Sequence, residues 1–317
     1  MLGRKLTAAL TREGHLGGRG IEGLTLSDFS LAEMPKPAGS VAMAADLSEP
    51  GVAEALIQSR PDVIFHLAAV VSGEAEAEFT KGYRVNLDAT RALFEAIRRA
   101  GEGYRPRLVF GSSVASFGPP LPDVIDDTYL LTPATSYGTQ KAICELLLAD
   151  YTRRGFLDGV GIRLPSIVIR PGKPNKAASG FFSNILREPL IGEEAVLPVS
   201  ETVRHWFASP RAAVHFLLEA AVLEGAALGS VRTLNMPGLS ATVAEEIEAL
   251  RRVAGEGAVR LIRDEPDAAV AAIVGGWPSR FDARPARDLG FRADSSFDEI
   301  IRAHVEDELG GSHRGVL

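Results

Sequence analysis

Short apolar runs alternate with amphipathic helical stretches from about residue 24 to residue 169, and this alternation restricts the chain to a parallel sheet flanked by helices. The runs at 24–28, 63–65 and 108–111 are too short for helices and read as buried strands. Between them, residues 52–59 and 79–100 read as helices, the second with Leu87, Leu93, Phe94 and Ile97 at core spacing. Residues 1–15 form a charged amphipathic helix pattern, and residues 14–23 a glycine-rich loop. From Pro171 the pattern changes to loop and helix. Residues 297–309 predict a terminal amphipathic helix with Ile300, Ile301 and Val305 facing inward. The expected fold is α/β, a doubly wound parallel sheet with a smaller C-terminal part.

Composition sets limits on what such a fold does. A length of 317 residues exceeds one typical domain, and 46% hydrophobic content is enough for a packed interior. A net charge of −7 and a pI of about 5.5 argue against nucleic-acid or anionic-membrane partners. The single cysteine, Cys144, forms no internal disulfide, so a reducing cytoplasm is expected. No apolar run is long enough to span a membrane, and residues 1–15 do not read as a signal peptide. No metal is expected.

The chemistry is concentrated in Tyr137-Gly-Thr-Gln-Lys141 and in Ser113 of Gly111-Ser-Ser-Val-Ala-Ser-Phe-Gly118. Tyrosine and lysine four residues apart share one helix face, so the ammonium eases loss of the phenol proton. A serine at a neighbouring strand end holds the same carbinol oxygen. Residues 137–153 read as that helix, with Pro133 and Ser136 marking its start. Ala142, Ile143, Leu146, Leu147 and Ala149 are expected on its apolar side. Alone, such a pair is more often a solvated helix face than a site; a serine strand ending beside it is where an open α/β sheet places ligands.

The ordered set of motifs resembles the extended short-chain dehydrogenases/reductases, the NAD-dependent epimerase/dehydratase family. Gly3 heads a helix, residues 24–28 form an acidic-ended strand, and Ala45-Asp46-Leu47 closes the next. Val63-Ile-Phe-His66-Leu-Ala-Ala69, Asn86-Leu-Asp-Ala-Thr90, the serine strand and the Tyr/Lys helix follow. Arg163-Leu-Pro165, Ile169-Arg-Pro-Gly172, Val203-Arg-His-Trp-Phe207 and Leu234-Asn-Met-Pro-Gly238 complete the series. The resemblance implies a Rossmann-type NAD-binding domain over 1–170, with 201–236 returning to it. Residues 171–200 and 237–317 would form the substrate domain.

The resemblance also implies roles. Ser113, Tyr137 and Lys141 would be catalytic. Gly3, Asp28, Asp46, Leu47, Leu67, Ala68, Ala69, Asn86, Tyr137, Lys141, Pro165 and Ile167 would contact the cofactor. Asp28 ends a strand near the spacing for a carboxylate on the adenosine ribose; it would repel a 2′-phosphate, which favours NAD over NADP. The alternative for Asp28 is a turn or cap aspartate. His66 is expected to buttress the loop, not to act as a base. Ser72, Ser113, Tyr137, Ser179 and Arg204 are the expected substrate contacts, with Arg204 suited to a carboxylate. A surface ion pair is the alternative for Arg204.

In the C-terminal half, Thr202-Val-Arg-His-Trp-Phe-Ala-Ser-Pro210, Gly276-Trp-Pro-Ser-Arg-Phe-Asp-Ala-Arg284 and Asp307-Glu-Leu-Gly-Gly311 resemble the D-erythronate dehydrogenase group. That implies oxidation of the C2 hydroxyl of D-erythronate to 2-oxo-tetronate with NAD, in acid-sugar catabolism. A nucleotide-sugar epimerase would use the same triad, and a non-catalytic dinucleotide-binding protein or truncated relic is a further alternative. A 4,6-dehydratase is disfavoured by Ser113-Val114-Ala115. A homodimer formed by the Asn86 and Tyr137 helices is expected by the same resemblance. Met1-Leu-Gly3 aligns with the last glycine of the family's phosphate loop. The expectation is therefore a missing first strand: a start further upstream, a shortened chain, or a natural protein without it. As it stands, such a chain is expected to bind dinucleotide poorly.

Overall fold

The computed structural model describes residues 1–30, 37–172 and 179–313. They divide into two compact units, the first being Met1–Ser116, Pro133–Arg163 and Val214–Leu234. The second comprises Phe117–Thr132, Leu164–Ala213 and Asn235–Leu317.

The first unit opens with α1 (Leu2–Glu13), which stops where Gly14 turns left-handed at φ 68° and returns its N–H to the Leu10 carbonyl. β1 (Thr25–Asp28) pairs parallel with β2 (Val41–Ala44), Asp28 opposite Ala44. β3 (Val63–His66) pairs parallel with β4 (Arg107–Ser113). With β5 (Asp158–Leu164) and β6 (Thr233–Asn235) they make a four-stranded sheet in the order β6-β5-β4-β3. β4 and β5 are buried except at their ends, as near-continuous apolar runs covered on both faces must be.

α2 (Val52–Ile57) and α3 (Ala89–Arg99) pack with α4 (Ser136–Arg153) over this sheet. Ile57, Leu93, Phe94, Ile97, Leu108, Phe110, Cys144 and Leu148 share their core. Each large side chain so buried is worth about 1.5–3 kcal/mol. The helix expected over 79–100 is broken: a turn at Phe79–Gly82 passes into a π-helical segment, Tyr83–Asp88, before α3. That wide segment carries Asn86, which is buried. π segments of this kind cluster at functional sites.

α4 corrects two expectations. Its cap is Thr135, whose hydroxyl accepts from the Gly138 N–H at 3.1 Å. Its buried face is only partly the predicted apolar one: Ala142 is buried and Leu147 packs against the core, but Leu146 is 67% exposed, and Lys141, Cys144, Glu145 and Leu148 are buried. Polar residues occupy the inner face because the ends of β4 and β5 supply their partners there.

In the second unit, Arg204–Ala208 pairs antiparallel with Leu239–Thr242 and parallel with Ser166–Ile167. Ala195–Leu197 pairs parallel with Ile262–Asp264. Helix Val243–Ala254 begins in a capping box of Thr242 and Glu245. The terminal helix Phe297–Glu308 turns Ile300, Ile301 and Val305 into a core shared with Phe182, Phe207 and Leu250. Among the described residues, no helix is long and apolar enough to cross a membrane.

Candidate active site

β4 delivers Ser113 to its C-terminal end, where a 3₁₀ turn, Val114–Ser116, follows at once. The Ser113 hydroxyl is half-buried and accepts from the Ala115 N–H at 3.1 Å. Tyr137, also half-buried, is the second residue of α4. Lys141 is 5% exposed; its Nζ donates to the Gly111 carbonyl at 2.7 Å and lies 4.8 Å from the Phe110 ring centre. The same ammonium is 5.6 Å from the centre of the Tyr137 ring. The first unit thus brings a serine strand end, a phenol and a buried ammonium into one region.

A glycine makes this approach possible. A Cβ on Gly138 would meet the Ala115 carbonyl oxygen at 2.1 Å, so the start of α4 presses on the turn after Ser113 as only glycine allows. Sequence reasoning passed over Gly138, although its place beside the tyrosine was a visible signal.

His66 is buried under Lys141. Burial first, and the lysine's charge second, hold it down to about 3, so it is neutral. Its Nε2 shares a 2.8 Å hydrogen bond with the Thr90 hydroxyl.

Asp28 and Asp46 stand at the ends of the adjacent strands β1 and β2. Asp28 is exposed and accepts from the Ser30 N–H at 3.2 Å. Hydrogen bonds from the Ser48 hydroxyl and N–H keep the Asp46 carboxyl below its ordinary range, with Arg84 3.2 Å away. Leu47 packs against the core of the first unit. Leu67 is half-buried and Ala68 and Ala69 are exposed just after β3. Gly3 lies in the first turn of α1, where an added Cβ would meet nothing within 4 Å.

Asn86 does not turn its amide outward. Its Oδ1 accepts from the Val70 N–H at 2.9 Å, and its Nδ2 donates to the Val70 carbonyl and to Gln140 Oε1 at 2.7 Å. It fixes the loop after β3 from beneath. No sequence signal marked Gln140 as its partner. Ser72 opens a short helix, Ser72–Ala77, and is half-buried.

Four expected contacts belong to the second unit. Pro165 and Ile167 are buried, and the Ser179 hydroxyl accepts from Arg170 Nη2 at 2.8 Å. Arg170 Nε donates to the Ile167 carbonyl at 3.0 Å. Arg204 is engaged locally: its Nη1 donates to the Ser240 carbonyl at 2.9 Å, and its Nη2 is 3.3 Å from Glu245.

A sequence model of the NAD dependent epimerase/dehydratase family matches residues 1–215. The D-erythronate dehydrogenase of Cupriavidus necator is 50% identical over 310 residues, 96% of this chain and 95% of its own. That of Haemophilus influenzae is 46% identical over 264 residues, 83% of each. A crystal structure described as the nucleoside-diphosphate-sugar epimerase from Agrobacterium tumefaciens superposes with a TM-score of 0.95 at 62% identity, covering 98% of this chain and 92% of that one. A monomeric L-threonine 3-dehydrogenase shares the fold at a TM-score of 0.83 and 19% identity.

Proposed function

The chain belongs to the NAD dependent epimerase/dehydratase family, and from that premise we propose that it oxidises the C2 hydroxyl of D-erythronate to 2-oxo-tetronate with NAD. The observation that carries this reading is the 50% identity to a D-erythronate dehydrogenase across 96% of the chain. Within the chain, Ser113, Tyr137 and Lys141 support it.

The residues at these strand ends suit the adenosine part of a dinucleotide. Two carboxylates, Asp28 and Asp46, stand at the C-terminal ends of neighbouring parallel strands, where an open α/β sheet takes its ligands. Ala68 and Ala69 are small, exposed residues just after β3, where a ligand could approach the chain closely. Asp28 at the β1 end supports NAD over its 2′-phosphorylated form, because a carboxylate repels the added phosphate. When bound, the nicotinamide supplies the carbon that accepts a hydride.

The chain's own residues handle the proton. Tyr137, as phenolate, accepts the proton of the C2 hydroxyl, and the Ser113 hydroxyl donates a hydrogen bond to the same oxygen. Lys141 keeps a positive charge beside the phenol, held in place by the Gly111 carbonyl. Ser72 is the further substrate contact proposed in this unit. A cytoplasmic location is part of this proposal, in keeping with the single, buried, unpaired Cys144. It is proposed to act as a homodimer built on α3, α4 and the segment before α3, where Leu146 and Phe79 are exposed apolar side chains.

Incubation with D-erythronate and NAD should yield NADH, and Tyr137→Phe should lower that rate by about 10²–10⁴-fold without loss of fold. The Agrobacterium structure described as an epimerase favours a second reading. Interconversion of nucleotide sugars on retained NAD, with no NADH from D-erythronate, would install that reading in place of the dehydrogenase.

A further inference from the structure

Glu145 lies one turn beyond Lys141 and two beyond Tyr137, on the same face of α4. It is 4% exposed and meets four donors. Its Oε1 accepts from the hydroxyls of Ser112 and Ser116, the latter at 3.2 Å. Arg163, at the end of β5, donates Nε to Oε2 at 3.0 Å and Nη2 to Oε2 at 2.8 Å. Both side chains of this ion pair are buried, 6% exposed for Arg163 and 3% for Glu145.

The placement of the two serines is what matters. Ser112 immediately precedes Ser113, and Ser116 closes the turn that follows it. Lys141 meanwhile holds the carbonyl of Gly111. The strand end bearing Ser113 is therefore held on both sides by residues 141 and 145 of the helix that bears Tyr137. A buried ion pair on its own is a weak source of stability, often replaceable by apolar residues. An apolar pair, however, could not accept from Ser112 and Ser116.

We propose that Glu145, charge-balanced by Arg163, is a positioning residue: through Ser112 and Ser116 it sets the separation of the Ser113 hydroxyl and the Tyr137 phenol. The proposal rests on the dehydrogenase reading above. Small losses of alignment at a reacting centre cost rate out of proportion to their size.

The test leaves the ion pair intact, so that folding is spared. In the double variant Ser112→Ala/Ser116→Ala, kcat with D-erythronate should fall about 10- to 100-fold while KM and NAD affinity stay within about twofold. The melting temperature should fall modestly, because a buried carboxylate oxygen loses two donors, and amide hydrogen exchange over residues 111–116 should quicken about tenfold. Ser112→Thr on the Ser116→Ala background should recover most of the lost kcat. A kcat within about twofold of the parent, or a loss carried wholly by KM, overturns the proposal. Exchange is read on the protein itself. Failure of D-erythronate to turn over in the parent enzyme therefore overturns the dehydrogenase reading, while exchange over residues 111–116 still decides whether the brace exists.

Discussion

Gly138 stands so close to Ala115 that a Cβ on the glycine would lie 2.1 Å from the Ala115 carbonyl oxygen. The contact joins the first turn of α4 to the turn after β4, and so joins the tyrosine to the serine strand. Gly138→Ala must push these two backbones apart. The expected outcome is a kcat lower by about 10- to 100-fold and a stability lower by about 1–3 kcal/mol. Steady-state rates and urea unfolding of the same preparation check both; a fully active variant would show that the close approach is incidental.

Asp28 is proposed to select NAD. Asp28→Ala removes the charge that opposes a 2′-phosphate, at an exposed position where stability should change by under about 0.5 kcal/mol. The ratio of NAD to NADP efficiency should fall by about tenfold or more. Initial rates with both cofactors measure it, and an unchanged ratio would return Asp28 to the role of a turn aspartate.

Leu146 is 67% exposed on the outer face of α4. If that face forms the proposed homodimer, Leu146→Glu buries a charge in the interface and should yield monomer. Light scattering coupled to size-exclusion chromatography distinguishes the two states. Identical masses for parent and variant would remove α4 from the interface.

Two buried histidines predict the acid side of the stability profile. Burial lowers both His66 and His205 to about 3. Their unfolded counterparts take up protons below an ordinary value of about 6.5. The stability they contribute is present above 6.5 and is lost as pH falls toward 3, with a slope of about 1.4 kcal/mol per pH unit for each. His66→Asn should lessen that slope in urea melts across the window; an unaltered slope would mean that other groups dominate acid unfolding.

Glu246 predicts the opposite trend. It is fully buried in the second unit, and neither carboxylate oxygen has a hydrogen-bond partner among the described residues. Burial raises its pKa well above the ordinary value. The folded state therefore keeps a proton that the unfolded state releases above about 4.5, and stability declines as pH rises through this range. Glu246→Gln should match the parent at about pH 5 and exceed it by about 1–3 kcal/mol at about pH 8. Equal unfolding midpoints at both pH values would show that the carboxylate is accommodated without cost.

Legibility in the sequence followed the range of the interaction concerned. Helix Phe297–Glu308 matched its predicted inner face because periodicity is a local property. Likewise, β4 was visible as an apolar run, since a strand covered on both faces needs little else. α4 was located correctly, but its inner face was only partly read: Ala142 is inside as expected, Leu146 is not. Hydrophobicity counted Leu146 inward, whereas the buried stripe is Lys141, Cys144, Glu145 and Leu148. A polar residue can be inside only when a partner awaits it, and those partners lie on strands distant in sequence.

The same reason separates the candidate residues. The sequence by itself determined the alternating α/β architecture, the family, and the Tyr137–Lys141 spacing that puts phenol and ammonium on one helix face. Only the tertiary structure decided that Asn86 supports Val70 from below, that Arg204 is engaged by Ser240 and Glu245, and that Glu145 grips Ser112 and Ser116. Spacing along the chain fixes which side chains share a helix face, because helix geometry is local. Which donor meets which acceptor depends on where packing brings segments dozens of residues apart, and no local pattern carries that information.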